Sequence, residues 1–282
     1  MQRFLAFGRF RLPLGKRVLL MGVLNVTPDS FSDGGRFLEP QKALEHALKM
    51  EGQGADLIDL GGESTRPGAR PVSAREEIRR VIPVLGRLVK RLAIPVSVDT
   101  SKAVVAEAAI EVGASLINDV TALQDPAMAG VIAHGNVPVI LMHMRGIPRT
   151  MQKNPSYRRL IPEVLSELSK AIAKARAAGI SRESILVDPG LGFGKRFEDN
   201  LILLKGLGRL KKLGVPIVVG PSRKSFIGQI LEAPVEDRLF GTASAVALSV
   251  FCGADMVRVH DVKQMRQVVL VAEAVKSARW NS

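Results

Sequence analysis

Three polar residues follow short apolar segments of this sequence, at the point where each segment ends. They are Asp99, Asn118 and Asp188. An ionised aspartate accepts two parallel N–H bonds, whereas an asparagine supplies one donor and one acceptor. A buried carboxylate needs donors, and no arginine is obviously placed in the sequence to pair with each of them. These residue types therefore favour a ligand with several N–H groups, such as a nitrogen heterocycle with an amino-pyrimidinone edge.

Each of these residues also has an alternative role when it is taken singly. Residues 99–101 read Asp-Thr-Ser and directly precede a helix-like stretch, and such residues are preferred at helix N-caps. The sequence alone leaves the two roles open.

A second group of residues is suited to binding an anion. Arg258 and His260 are two residues apart at the end of the last apolar segment, hence on the same side of a strand, where two potential cations can contact one anion. Asn25 ends the first apolar segment, and an amide oxygen there can ligate Mg²⁺ weakly while a diphosphate supplies stronger ligands. An isolated asparagine at such a position is more often a turn residue.

Eight apolar segments precede the polar clusters and predict eight β-strands. They span residues 18–23, 56–60, 94–98, 115–117, 137–142, 185–187, 215–219 and 255–259. Stretches with helix-forming composition lie between them, for example at 41–53, 74–91, 102–112 and 162–178. Buried strands that alternate with amphipathic helices indicate βα units, a parallel sheet and right-handed crossovers.

We expect an α/β fold, a (β/α)8 TIM barrel that forms one domain over residues 1–282, with residues 1–17 as an N-terminal extension. The active site of such a barrel lies at the carboxyl ends of its strands. A doubly wound open sheet is the alternative, and it would concentrate ligand-binding residues at one switch point. The polar clusters here follow most of the predicted strands, which favours the barrel.

Composition narrows the class of protein further. A chain of 282 residues with 46% hydrophobic content is typical of one globular domain of barrel size. No segment is long and apolar enough for a membrane helix, and arginines interrupt the apolar residues at the start of the chain, so we expect a cytoplasmic protein.

The net charge of +13 suggests a nucleic-acid-binding protein as one interpretation. The lysines and arginines are scattered without interleaved aromatic residues for base stacking, so we expect no nucleic-acid partner.

Eight short segments, in this order, resemble the dihydropteroate synthase family. They are MGVLNVTPDSFSDGG at 21–35, DLGGESTRPG at 59–68, SVDT at 97–100, ND at 118–119, LMHM at 141–144, DPGLGFGK at 188–195, SRKS at 222–225 and RVHD at 258–261. The first two segments are highly specific, and the others are short but correctly ordered. The resemblance covers about residues 18 to 265.

The resemblance implies a transferase of folate biosynthesis that condenses 6-hydroxymethyl-7,8-dihydropterin diphosphate with 4-aminobenzoate. It implies that the pterin is held by Asp99, Asn118, Met142, Asp188 and Lys224. It implies that the diphosphate is held, together with Mg²⁺, by Asn25, Arg258 and His260. The aminobenzoate pocket would be formed by Thr65, Arg66, Pro67, Phe193, Ser222 and Lys224.

The same resemblance implies that the catalytic groups are Asp99, Lys224, Arg258 and His260. We expect the loops at 27–37 and 63–72 to close over the substrates and exclude water. By analogy with the family, we also expect a homodimer.

Two alternatives share the expected barrel. A pterin-binding methyltransferase domain has much of the same Asp/Asn pterin site, but it needs no diphosphate-binding group, so Asn25 with Arg258 and His260 argues against it. A non-catalytic paralogue would keep the fold and lose the chemistry. None of the matched polar positions is lost in this sequence, which favours the enzyme.

Overall fold

The computed structural model describes residues 3–7, 9–27, 40–65 and 68–278. Within these residues, eight strands form one parallel sheet. They are β3 (Leu19–Asn25), β4 (Leu57–Gly61), β5 (Val96–Asp99), β6 (Leu116–Asp119), β7 (Val139–Met142), β8 (Ile185–Asp188), β9 (Val218–Val219) and β10 (Met256–Val259). The order of the strands is β8-β7-β6-β5-β4-β3-β10-β9. A parallel bridge between Val187 and Ile217 joins the two ends of this order, so the sheet closes into the expected barrel.

Helices follow the strands along the chain and surround the sheet. They are α1 (Pro40–Gly52), α2 (Ala74–Arg91), α3 (Ala103–Val112), α4 (Met128–Gly135), α5 (Leu160–Ala177), α6 (Phe197–Lys205), α7 (Ser225–Leu231), α8 (Leu239–Phe251) and α9 (Val262–Ser277). No helix in the described part of the chain is long and apolar enough to cross a membrane.

The ends of α2 show why some boundaries can be read from sequence. The Ser73 hydroxyl accepts a hydrogen bond from the Glu76 backbone N–H at 3.2 Å, which caps the first turn. Glu76 and Glu77 lie in this first turn and Lys90 and Arg91 lie in the last, so charges of both signs complement the helix dipole. The helix has the predicted bounds, whereas the three other helices predicted by residue range differ by one or two residues at their ends.

Residues before the barrel form an antiparallel hairpin of β1 (Arg3–Phe7) and β2 (Phe10–Leu14). Leu5 and Leu14 of this hairpin are buried in one cluster with Leu19, Leu57 and other residues from the barrel interior. Leu19 and Leu57 are the first residues of their strands. The predicted N-terminal extension therefore covers the amino-terminal end of the barrel and leaves the carboxyl end for ligands.

Candidate active site

The register of the sheet places polar residues of neighbouring strands in one row at the carboxyl end of the barrel. Asn25 of β3 is opposite Gly61 of β4, Gly61 is opposite Asp99 of β5, and Asp99 is opposite Asn118 of β6. Asp188 ends β8 opposite Met142 of β7. The carboxyl ends of parallel strands meet at one edge, so residues distant in sequence line one opening.

Arg258 links two carboxylates at this opening. Its Nε donates to Asp59 Oδ2 at 2.6 Å, and its Nη2 donates to Asp99 Oδ2 at 2.9 Å. Asn118 Nδ2 also donates to Asp59 Oδ2, at 3.1 Å. The expectation that no arginine is placed to pair with Asp99, Asn118 and Asp188 is therefore wrong for Asp99, because β10 lies beside β3 in the barrel and brings Arg258 next to β4 and β5.

Asp59 is a site residue that the sequence reasoning missed. It lies inside β4 and is fully buried, whereas the residues predicted to bind ligands follow the apolar segments. The available signal was the charge itself, since a lone carboxylate inside an apolar strand must find a partner.

The alternative role of Asp99 as a helix N-cap is wrong, because Lys102 occupies the N-cap position of α3.

Burial changes the proton affinity of Asp99 and Asp188, the two carboxyls predicted to bind the pterin. It raises the pKa of Asp99 to about 8; Asp59 adds to this rise and Arg258 opposes it. Burial likewise raises the pKa of Asp188 to about 6, although the Gly190 N–H donates to Asp188 Oδ1 at 2.6 Å and opposes the rise. A ligand with N–H donors would stabilise the ionised form of both groups.

Lys224 faces an aromatic ring at the same opening. Its Nζ lies 4.1 Å from the centre of the Phe193 ring, a cation–π distance. Phe193 is buried in a small cluster with Met142 and three other apolar residues. Burial and the charge of Arg258 lower the pKa of Lys224 to about 8. The two predicted groups, Lys224 for the pterin and Phe193 for the aminobenzoate, are thus in contact.

Ser222 and His260 form a second contact between neighbouring strand ends. Ser222 Oγ lies 2.9 Å from His260 Nδ1, and the His260 backbone N–H donates to Ser222 Oγ at 3.2 Å. Burial and the nearby cations Arg258 and Arg223 lower the pKa of His260 to about 3. Of the two potential cations predicted to hold an anion, only Arg258 is therefore charged at neutral pH, and His260 is a neutral imidazole.

The remaining predicted residues are only partly described. Asn25 and Thr65 are half-buried; Arg66, Pro67 and residues 28–37 of the first predicted loop lie outside the described residues. A Cβ at Gly61 would lie 3.0 Å from Asn25 Oδ1, so glycine leaves space around this oxygen. No group of three or more His, Cys, Asp or Glu side chains suited to a metal occurs among the described residues. A cation at Asn25 would thus need ligands from a bound anion.

Comparison with known proteins gives one consistent family. The model of the pterin binding enzyme family matches residues 21–260. A dihydropteroate synthase of Bacillus subtilis is 48% identical over 261 residues, which cover 92% of this chain and 89% of the relative.

Two solved structures carry ligands that bear on the site. A Xanthomonas albilineans dihydropteroate synthase with 4-aminobenzoic acid has a TM-score of 0.92 and 45% identity, over 98% of this chain and 99% of that one. A structure of the synthase from the same organism in complex with 7,8-dihydropteroate has a TM-score of 0.85 and 43% identity, over 93% and 95% of the two chains.

Proposed function

The chain belongs to the pterin-binding enzyme family as a dihydropteroate synthase, and from this premise we propose how its barrel opening binds each substrate. The reaction joins 6-hydroxymethyl-7,8-dihydropterin diphosphate to 4-aminobenzoate and gives 7,8-dihydropteroate and diphosphate in folate biosynthesis. The C–O bond to the diphosphate breaks, a C–N bond to the arylamine forms, and the amine loses a proton.

The pterin binds to the polar row at the strand ends. Asp99 and Asp188 are buried acceptors, and Asn118 carries an amide in the same row. An amino-pyrimidinone edge presents the N–H groups that such acceptors need. Lys224 donates from the opposite side, and Met142, in the apolar cluster of Phe193, packs against the pterin. The convergence of these groups, with Arg258 bonded between Asp59 and Asp99, is the observation that supports this assignment.

The diphosphate binds beside the pterin, at Asn25, Arg258 and His260. A guanidinium has five N–H donors, so Arg258 keeps donors for an anion while it holds Asp59 and Asp99. His260 is neutral and adds a ring N–H, because Ser222 occupies only its Nδ1 side. Asn25 fits Mg²⁺ as one oxygen ligand, since this ion is commonly held by one or two protein oxygens together with substrate phosphates. When bound, Mg²⁺ neutralises charge on the diphosphate.

The aminobenzoate binds on the outer side of the pterin. Phe193 forms the aromatic wall, Lys224 lies over this ring at 4.1 Å, and Ser222 supplies a hydroxyl. We assign Thr65 and also Arg66 and Pro67 to this pocket from the family motif. The solved relative that carries 4-aminobenzoic acid supports the choice of ligand.

The reaction is a dissociative substitution. An arylamine is a weak nucleophile, so stabilisation of the leaving group matters more than deprotonation of the amine. Arg258 and His260 donate to the departing diphosphate, and the carboxylate of Asp99 stabilises the methylene cation that remains on the pterin. Exclusion of water would keep this cation from being trapped, and this is the role that the sequence predicts for the loops at 27–37 and 63–72.

The homodimer that the family resemblance implies has a matching surface. On α8, Phe240, Leu248 and Phe251 are exposed at helical spacing, and on the adjacent α9 the same holds for Val271 and Val275. Apolar side chains that recur on one helix face usually mark an interface. We propose that a second copy of the chain covers this face. A cytoplasmic location remains a prediction from the sequence.

The test is release of diphosphate by the purified protein. With the pterin diphosphate, Mg²⁺ and 4-aminobenzoate, we expect stoichiometric formation of dihydropteroate and diphosphate, and omission of any one component should abolish turnover. A methyltransferase domain or a non-catalytic paralogue would bind the pterin without releasing diphosphate. Pterin binding without product would therefore contradict the proposal.

A further inference from the structure

Lys195 is a buried lysine that none of the proposed binding steps uses. Its side chain is 2% exposed, and its Nζ lies 2.9 Å from His143 Nδ1, 3.2 Å from the His143 carbonyl oxygen and 2.9 Å from the Phe193 carbonyl oxygen. An ammonium has three donors, and here it meets three acceptors. Among the described residues, no carboxylate forms an ion pair with Lys195, so these neutral acceptors must hold the charge.

The tautomer of His143 follows from this contact. If Nδ1 accepts a hydrogen bond from the ammonium, the ring proton is on Nε2. This nitrogen lies 2.9 Å from Glu167 Oε2, and the contact with His143 lowers the pKa of Glu167 to about 2. Close polar contacts therefore link the buried Lys195 through His143 to Glu167, whose side chain is 40% exposed; His143 Nε2 makes no hydrogen bond of standard geometry.

The loop that contains Phe193, residues 190–194, packs directly on residues 143–145, next to these contacts. A Cβ at Gly190 would lie 2.0 Å from the His143 carbonyl oxygen, and a Cβ at Gly194 would lie 2.2 Å from the Arg145 carbonyl oxygen. Both glycines have positive φ angles, which favour glycine. The backbone of this loop can therefore approach residues 143–145 closely, and Lys195 bonds the Phe193 carbonyl within it.

We propose that Lys195 is a positioning residue that, as an ammonium held by His143 and Glu167, fixes the Phe193 backbone and thereby the aromatic wall of the aminobenzoate pocket. The proposal rests on the assignment of Phe193 to that pocket. Burial lowers the pKa of Lys195 to about 7, so the Glu167 carboxylate at the outer end of these contacts matters for retaining the proton. The other charged groups that act on Lys195 are Asp188, Lys224 and Arg145.

Kinetics test the positioning role. Lys195→Met removes the three donors, and we expect the KM for 4-aminobenzoate to rise about tenfold or more, as for loss of hydrogen bonds from a charged group. The dissociation constant of the pterin diphosphate should change less than about threefold. Lys195→Gln keeps two amide donors and should restore part of the KM. Lys174→Met is the matched control, because Lys174 also donates to a backbone carbonyl, that of Leu123, which does not belong to the Phe193 loop.

An unchanged aminobenzoate KM in Lys195→Met would overturn the proposal, and so would equal losses of affinity for both substrates. If this variant does not fold, the wild-type protein still provides a test. The chain has only four histidines, so ¹⁵N NMR of labelled imidazoles can resolve the His143 tautomer. We expect the Nε2–H form. The Nδ1–H form would mean that Lys195 is not the donor, and would also overturn the proposal.

Two glutamates on one helix provide a second matched pair for the NMR experiment. Glu167 and Glu163 both contact Arg145, but only Glu167 contacts His143. In Glu167→Gln the imidazole resonances of His143 should change at a lower pH than in the wild type, because the charge that retains the proton on Lys195 is lost. Glu163→Gln should keep the wild-type titration of His143. Identical titrations in the two variants would contradict the proposed link from Lys195 through His143 to Glu167. These spectra do not depend on turnover, so failure of the proposed function alone would leave this result intact.

Discussion

Replacement of Arg258 by alanine should destabilise the protein in a way that depends on pH. In the structure this guanidinium bonds Asp59, which is fully buried, and Asp99, which is 7% exposed. Removing one partner of a buried ion pair typically costs about 3–5 kcal/mol, because an uncompensated charge remains. For a chain of this size, that cost corresponds to a decrease in Tm of about 10 °C.

The sign of the pH dependence follows from Asp99. Burial raises its pKa to about 8, so the folded state binds this proton more tightly than the unfolded chain does. The contribution of such a group to the free energy of unfolding decreases as pH rises from about 4 to about 8. Arg258 lowers the pKa of Asp99 and limits this loss. Without Arg258 the pKa of Asp99 rises further, so the loss continues above pH 8 in the variant whereas it levels off near pH 8 in the wild type. We therefore expect a larger deficit in stability at about pH 9.5 than at about pH 6.

Urea unfolding of the wild type and Arg258→Ala at these two pH values measures the effect. Arg223→Ala is the control, because Arg223 also pairs with a carboxylate at the end of β10, Asp261, but is 35% exposed. Such a pair contributes at most about 1 kcal/mol. A deficit in Arg258→Ala that is equal at about pH 6 and about pH 9.5, or no larger than that of the control, would refute the reasoning. Turnover should fall in parallel, and wild-type turnover would contradict the role in diphosphate binding.

Three further predictions concern the substrates and the assembly. Asp188→Asn presents an N–H donor where the pterin needs an acceptor, so pterin affinity measured by calorimetry should fall by about 1–3 kcal/mol; an unchanged affinity would remove this role. Chelation of Mg²⁺ should abolish diphosphate release and added Mg²⁺ should restore it, with a higher Mg²⁺ requirement in Asn25→Ala; full turnover in excess chelator would exclude the metal. Phe251→Asp places a charge on the exposed face of α8 and should convert the dimer to a monomer in sedimentation; a monomeric wild type or a dimeric variant would contradict the proposed interface.

The barrel could be predicted because its signals are local. Each strand is a short buried run, and four of them, β3, β5, β6 and β8, end in a polar residue that still belongs to the strand, as with Asp99 in β5. Strand β9 is much shorter than the range predicted for it, residues 215–219, and is observed only as Val218–Val219. Pro216 has no N–H to donate to a neighbouring strand, which shortens the ladder at this position.

The contacts within the site could not be predicted in the same way. Arg258 and Asp59 are separated by 199 residues, and the pairing of β10 with β3 brings them together. The charge state of His260 depends similarly on burial and on Arg223 and Arg258. Local sequence specifies which side chains are present at the strand ends, whereas their partners and proton affinities follow from the three-dimensional arrangement.

Asp59 shows what this arrangement accomplishes. It is fully buried, and one of its oxygens accepts hydrogen bonds from both Arg258 and Asn118, so it holds a residue proposed to bind the diphosphate and another proposed to bind the pterin. A carboxylate in this position orients both groups before any substrate arrives, which reduces the ordering cost of binding. The negative charge of Asp59 also contributes to the raised pKa of Asp99. The same buried charge therefore connects the geometry of Arg258, proposed to bind the diphosphate, to the proton affinity of Asp99, proposed to bind the pterin.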